Sequence, residues 1–118
     1  MAMRVFVVED SATINLIETL KELFGAEIVG WAATESHAIK MLAELDWDVA
    51  LVDLFVASGS GLSVARALQG RDKARPVFVT TNYATPDMRS RCAALNVDAV
   101  FDKSVELDLL FDQLAILR

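Results

Sequence analysis

The sequence predicts an α/β fold in which five parallel strands form one sheet with helices on both faces. Short apolar runs rich in β-branched residues alternate five times with longer segments of helical period, which is typical of repeated strand–helix units. The runs are almost continuously apolar, as expected of strands covered on both faces. We expect the strand order 2-1-3-4-5 with right-handed connections.

Local signals set the limits of each element. Within the first helix, Leu16, Leu20 and Leu23 fall on one face, and Gly25 suits its end. The expected strands cover residues 3–8, 27–32, 48–53, 76–81 and 98–102, and the expected helices cover 12–24, 35–45, 61–69, 86–95 and 105–117.

The later helices have equally local justifications. The second repeats the apolar spacing around Leu42. Thr85 followed by Pro86 is a strong start signal for the fourth, because a capping hydroxyl precedes a proline at the first helical position. The fifth carries leucines at helical spacing over 105–117, and Ser104 is its expected N-cap.

Length and charge limit the possible functions. The chain has 118 residues, of which 54% are hydrophobic, enough for one packed domain and too few for two. We expect a single domain over residues 1–118 with no output domain. The net charge of −6 argues against nonspecific DNA binding, which needs lysine and arginine to displace counterions. We therefore expect no direct contact with nucleic acid.

Composition also indicates the compartment. A charge interrupts every apolar run, so none reaches the roughly 18 residues of a membrane span. No signal peptide is expected before the first strand. Cys92 is the only cysteine and cannot form an internal disulfide, which fits a reducing compartment. We expect a cytoplasmic protein without a membrane partner.

Polar residues close four of the five expected strands. Glu9 and Asp10 follow the first, Asp53 closes the third, Thr81 closes the fourth, and Lys103 follows the fifth. Open parallel sheets bind ligands at the carboxyl ends of their strands, and here the switch point lies between strands one and three. The pattern therefore predicts three carboxylates, one hydroxyl and one ammonium around a shallow cleft.

This set of groups suits a hard cation and phosphoryl chemistry. Crowded carboxylates repel each other unless a cation or protons intervene, and oxygen ligands favour a hard cation, which could be Mg²⁺, Mn²⁺ or Ca²⁺. An aspartate can accept a phosphoryl group as a mixed anhydride. The cation, Lys103 and Thr81 could then neutralise and position the phosphoryl oxygens.

These residues resemble the response regulator receiver domain, the phosphoacceptor module of two-component signalling, over essentially the whole chain. Gly61, eight residues after Asp53, also matches the family. The resemblance implies the flavodoxin-like receiver fold. It implies that Asp53 accepts a phosphoryl group from a histidine kinase or histidine phosphotransfer protein, and that the domain signals by a conformational change and catalyses only its own phosphorylation and dephosphorylation.

The resemblance also assigns roles around the phosphoacceptor. Asp10, Asp53 and the backbone carbonyl of Phe55 would bind Mg²⁺, with Glu9 acting through water. Lys103 would pair with Asp53 and later with the phosphoryl group. The phosphoryl-binding and switch residues would be Thr81, Asn82 and Lys103.

Several positions depart from the family pattern. Val100 replaces the aromatic switch residue three before the lysine, and Ser104 replaces the proline after it, which leaves open a cis Lys103–Ser104 bond. Ala57 replaces a proline four after Asp53, so the following loop is expected to be looser. Phe55 and Tyr83 occupy the positions that tune phosphate lifetime, and their bulk favours a long-lived phosphorylated state.

Other functions are left open. The chain could be an atypical receiver that docks partners without phosphorylation, which Val100 and Asn82 favour. A Mg²⁺-dependent phosphatase would need a second acid where Phe55 stands, and an FMN carrier would need a richer phosphate loop after strand one. The family's face of helix four, strand five and helix five suggests a possible homodimer.

Overall fold

The computed structural model describes residues 2–10 and 13–117, with the backbone alone for 13–15. The strands are β1 Arg4–Val8, β2 Glu27–Ala32, β3 Val49–Val52, β4 Val77–Thr81 and β5 Ala99–Asp102. The helices are α1 Thr13–Phe24, α2 Glu35–Glu44, α3 Gly61–Ala67, α4 Pro86–Ala94 and α5 Leu107–Leu117. All strands pair in parallel in the order β2-β1-β3-β4-β5, which confirms the predicted fold. The predicted residue 12 of the first helix lies outside the described residues.

The apolar strands separate two cores. Along β1, Val5 and Val7 point to one face and Phe6 and Val8 to the other, as the period of two requires. The first face packs against α1 and α5, and the second packs against α2 and α3. A smaller cluster around Cys92 joins α4 to the sheet. Because both faces are covered, the strands are apolar almost throughout.

The helix signals are confirmed at two of three places. Gly25 ends α1 with φ +59°, and Thr85 Oγ1 accepts the N–H of Met88 at 3.2 Å. The expected N-cap at Ser104 is wrong, because α5 begins two residues later than predicted. Ser104 lies in a turn and donates its N–H to Asp102 Oδ1 at 2.8 Å. Every peptide bond in the described ranges is trans.

The loop after β3 is not loose, contrary to the expectation from the missing proline. Ala57 donates its N–H to the carbonyl of Ala33 at 2.9 Å, and Glu35 donates its N–H to the carbonyl of Ser58 at 2.9 Å. The carboxylate of Glu35 accepts the N–H of Ser60 at 2.8 Å. The loops after β2 and β3 therefore hold each other beyond the end of β1, which lies between their strands.

Among residues 2–10 and 13–117, no helix combines the length and the apolar character that crossing a bilayer requires.

Candidate functional site

A cleft of about 450 Å³ lies at the carboxyl ends of the strands, where the sequence predicts the site. Most of the predicted site residues line it, namely Glu9, Asp10, Asp53, Phe55, Asn82, Tyr83 and Lys103. The cleft continues between α1 and α5, where Leu16, Leu107 and Phe111 form an apolar lining beside Thr19. Residues more than 90 positions apart in the chain thus share one surface, because every parallel strand ends at the same edge.

Lys103 lies between two buried acids. Its Nζ donates to Asp53 Oδ2 at 2.8 Å and also to Glu9 Oε1. Glu9 is 4% exposed and Asp53 7% exposed. The other oxygen of Asp53 accepts the N–H of Phe55 at 3.1 Å. Two buried carboxylates therefore share one ammonium, and the group carries an excess of negative charge.

The protonation of these groups follows from burial and pairing. Burial raises the pKa of Glu9, and the hydrogen bond with Lys103 offsets this only in part. Burial alone would lower the pKa of Lys103, but its hydrogen bonds with Asp53 and Glu9 together leave that pKa raised. The raised pKa favours the charged form of Lys103, whereas burial favours the protonated form of Glu9.

We expect Glu9→Gln to change how stability depends on pH in metal-free buffer. Because burial raises the pKa of Glu9 above its unfolded value, the stability contributed by this group is fully present at low pH and is lost as pH rises through the folded pKa. The neutral glutamine should therefore gain stability over the parent as pH rises, with the largest gain at neutral pH.

Urea unfolding between about pH 4 and pH 8 measures this difference. Glu22→Gln on the exposed side of α1 is the matched control, and its difference from the parent should change little with pH. A difference between Glu9→Gln and the parent that is constant across the range would contradict the expectation.

The backbone around the acids is fixed by neighbouring strands. Asp53 donates its N–H to the carbonyl of Val8 at 2.8 Å, and Glu9 donates its N–H to the carbonyl of Ala32 at 2.9 Å. The indole of Trp31 donates to the carbonyl of Glu9 at 3.0 Å. The direction of Trp31 across the end of β1 follows from the strand register, which pairs Trp31 with Val7.

Gly61 lets the start of α3 approach the phosphoacceptor position. A Cβ added at Gly61 would lie 2.0 Å from the carbonyl oxygen of Asp53 and 2.7 Å from Leu54 Cα. The N–H of Gly61 donates to the carbonyl of Leu54 at 3.0 Å. The close approach therefore explains the glycine eight residues after Asp53.

Thr81 closes β4 as predicted, but its side chain does not line the cleft. It is fully buried, and its Oγ1 accepts the N–H of Tyr83 at 3.1 Å. Thr80, which sequence reasoning missed, lines the cleft instead. Successive strand residues point to opposite faces, and Thr80 follows the alternation of Phe78, which packs towards α1 and α5.

Two aromatic rings lie at the mouth of the cleft. Phe55 and Tyr83 pack edge to face with their ring centroids 4.9 Å apart, although 49% and 60% of their surfaces are exposed. Asn82 Oδ1 accepts from Ser104 Oγ at 3.5 Å. Val100 is partly buried and packs towards α4 with Met88.

The acids do not form a ready three-ligand metal site. Among the residues that the structure describes, no three acid, imidazole or thiolate side chains lie close enough together to hold a metal ion. Lys103 contacts two of the acids, Glu9 and Asp53, while Asp10 is exposed beside them at the cleft. Mg²⁺ typically uses only one or two carboxylates and keeps several waters, and this donor set consists entirely of oxygen atoms.

The curated relatives of this chain include a much longer enzyme. The chain is 36% identical over 99 residues to protein-glutamate methylesterase/protein-glutamine glutaminase 5 of Myxococcus xanthus. The match covers 82% of this chain and 28% of that protein. The chain thus corresponds to less than a third of the relative, and the relative's enzyme activity does not transfer with the match.

Solved structures share the whole fold. The signal receiver domain of a DNA-binding response regulator from Colwellia psychrerythraea 34H superposes with a TM-score of 0.84 at 24% identity, covering 98% of this chain and 97% of that one. RcsB from Salmonella enterica serovar Typhimurium, whose structure is bound to the promoter rprA in the presence of a phosphomimetic, superposes with a TM-score of 0.81 at 20% identity. This chain covers 67% of RcsB, and 98% of this chain is matched.

The RcsB structure corrects one prediction from the sequence. The expectation of no direct contact with nucleic acid is wrong, because a structural neighbour is bound to promoter DNA. The expectation rested on a net charge of −6, which describes the average electrostatics of these 118 residues. It does not account for local charge or for the further sequence that the neighbour carries.

The family comparison agrees with the geometry of the cleft. The family model described as the response regulator receiver domain matches residues 5–115, which include both acids that Lys103 contacts. The chain belongs to the response regulator receiver domain family.

Proposed function

We propose that Asp53 is a phosphoacceptor whose modification controls a signalling output. One observation carries the proposal: Asp53 presents a carboxylate to the cleft, with the Lys103 ammonium 2.8 Å from one of its oxygens. A histidine kinase or histidine phosphotransfer protein would supply the phosphoryl group. A carboxylate beside a fixed cation suits transfer, which depends on positioning and charge neutralisation.

The protein's own part in the transfer would be carried out by groups that line the cleft. An oxygen of Asp53 would bond to phosphorus as the bond between phosphorus and the donor nitrogen breaks. Lys103 would turn from the carboxylate towards the new phosphoryl oxygens, and Glu9 would keep its place as a second acceptor for the ammonium. Asn82 lies at the same cleft and offers its amide to a phosphoryl oxygen.

We propose Mg²⁺ as the resident cation, with Mn²⁺ or Ca²⁺ as substitutes. Asp10, Asp53 and the carbonyl of Phe55 would hold it, and Glu9 would act through water. When bound, Mg²⁺ supplies positive charge for the phosphoryl oxygens. The exposure of Asp10 at the cleft supports this set, because its carboxylate is accessible to a cation beside the two acids that Lys103 contacts.

The aromatic rings at the mouth support a long-lived phosphorylated state. Phe55 and Tyr83 pack against each other above the cleft, where they would restrict the approach of a hydrolytic water. Decay of the modified protein within seconds in Mg²⁺ would count against this role for the rings.

Acetyl phosphate in Mg²⁺ tests the proposal. We expect a mass gain of one phosphoryl group that hydroxylamine removes, that maps to Asp53, and that disappears when EDTA replaces Mg²⁺. Asp10→Asn should slow the gain by at least about tenfold, in line with losing one good electrostatic contact in phosphoryl transfer. Absence of any gain, or a gain mapped elsewhere, would overturn the phosphoacceptor role.

A second candidate is a docking module that works without phosphorylation. The burial of the Thr81 hydroxyl away from the cleft and the valine at position 100 favour it. The same incubation separates the two, because a docking module would gain no phosphoryl group while keeping its fold. A cytoplasmic location suits either candidate. If this chain is part of a longer protein, its output could be binding to promoter DNA or control of a linked enzyme domain.

A further inference from the structure

Arg89 on α4 contacts the backbone of two different segments. Its Nε donates to the carbonyl of Ala84 in the loop after β4 at 3.2 Å, and its Nη1 donates to the carbonyl of Val100 in β5 at 2.9 Å. Its Nη2 donates to Glu106 Oε1 at 2.7 Å. One guanidinium thus joins α4, the loop that carries Asn82 and Tyr83, β5, and the residue before α5.

Glu106 continues this network to the turn that carries Lys103. The same Oε1 accepts the N–H of Asp102 at 2.9 Å, and the N–H of Glu106 donates to the carbonyl of Asp102 at 2.8 Å. The next residue, Lys103, donates its N–H to the carbonyl of Thr81 at 2.9 Å. Arg89 and Glu106 therefore tie the two segments that present the cleft's phosphoryl-binding groups.

We propose that Arg89 and Glu106 are positioning residues that hold the loop after β4 and the turn after β5 in one arrangement, and that the state of Asp53 reaches α4 through them. The proposal rests on the proposed function of Asp53 and deepens it. Movement of Lys103 or of the loop that carries Asn82 would strain contacts that end on α4.

The contacts explain how the domain can work with valine at position 100. Arg89 binds the backbone carbonyl of Val100, so the link to β5 does not depend on that side chain. Charge-assisted hydrogen bonds are the stronger kind, and the rigid fork of arginine can serve several acceptors at once. A ring that swings between two positions is then unnecessary for coupling the cleft to α4.

Amide hydrogen exchange of the whole chain, without Mg²⁺ or phosphoryl donor, tests the positioning role directly. In Arg89→Ala, exchange at the amides of Asp102 and Lys103 should accelerate by about tenfold or more, the scale expected for losing charged hydrogen bonds. Arg89→Lys should recover part of the protection, because lysine keeps the charge without the fork.

Arg91→Ala is the matched control on the same helix. Arg91 makes an exposed ion pair with Asp87 at 2.9 Å within α4, and such pairs contribute little. Exchange at Asp102 and Lys103 should therefore match the parent in this variant. Glu106→Gln, which keeps an acceptor oxygen, should accelerate both amides severalfold and gives an independent answer if Arg89→Ala fails to fold.

Beryllofluoride with Mg²⁺ tests the coupling. In the parent and in Arg91→Ala, we expect beryllofluoride to change the NMR chemical shifts of amides both around Asp53 and along α4. In Arg89→Ala, these chemical-shift changes should be confined to the cleft. Equal exchange at Asp102 and Lys103 in the Arg89 and Arg91 variants, or α4 shifts that survive in Arg89→Ala, would overturn the proposal. A parent that shows no shift at all would overturn the coupling and the phosphoacceptor role, while the exchange result would still decide the positioning role.

Discussion

Asp53→Asn should abolish the phosphoryl gain and make the metal-free protein more stable. The loss follows because an amide cannot form the mixed anhydride. The increase in stability follows from the buried charges. Glu9 and Asp53 share the single ammonium of Lys103, and the variant leaves one acid paired with one base. We expect a rise of about 1 kcal/mol in the free energy of unfolding, or about 4 °C in melting temperature.

The loss of one hydrogen bond limits this gain. Asp53 accepts from both Lys103 and the N–H of Phe55, and asparagine has only one oxygen to offer. A hydrogen bond to a charged group such as this carboxylate contributes about 1.5–3 kcal/mol, whereas an excess buried charge costs several kcal/mol. Removing the excess buried charge should therefore outweigh the lost hydrogen bond, and the free energy of unfolding should rise.

Asp112→Asn is the control, because it removes the same charge from an exposed position on α5. It should keep the phosphoryl gain and shift the melting temperature little. Added Mg²⁺ should stabilise the parent more than Asp53→Asn, since a ligand stabilises only the protein that binds it. An Asp53→Asn protein less stable than Asp112→Asn in EDTA would show that the lost hydrogen bond outweighs the relieved charge.

Gly61→Ala should destabilise the domain by about 3 kcal/mol and slow its phosphorylation. A Cβ there would lie 2.0 Å from the Asp53 carbonyl oxygen and 2.7 Å from Leu54 Cα, and backbone atoms cannot turn aside as a flexible side chain can. Either α3 or the segment that carries Asp53 must move. The helix preference for alanine over glycine, about 1 kcal/mol, offsets only part of this cost.

Gly70→Ala is the matched control, because a Cβ at Gly70 meets nothing within 4 Å. Its stability should stay within about 0.5 kcal/mol of the parent, as measured by urea unfolding. The phosphorylation rate should also be unchanged. If the two alanine variants had equal stability, the close approach of α3 to Asp53 would not be a constraint.

Features that depend on strand patterns and strand ends could be predicted from the sequence. The order of strands and the gathering of Glu9, Asp53 and Lys103 follow from the geometry of parallel sheets. Thr85 was predictable as a cap because its signal is contained in the residues that follow it. Such features depend on neighbours in sequence or on the shared sheet edge.

One error is local: Ser104 has the chemistry of a cap, but the turn in which Asp102 accepts its N–H delays the helix. The other errors concern contacts between distant segments. The loop after β3 lacks its expected proline, yet Glu35 fixes it from α2. Thr80 rather than Thr81 faces the cleft, which depends on which side of the sheet each residue meets. No local pattern encodes these contacts.

The hydrogen bond from Arg89 to the main-chain carbonyl of Val100 has an evolutionary consequence. Every amino acid supplies that oxygen, so substitutions at position 100 that preserve its packing would leave the link to Arg89 intact. A guanidinium, by contrast, has no equivalent among the other side chains. Selection would therefore act on the helix residue, and lineages with this arrangement could lose a strand aromatic without losing the signal.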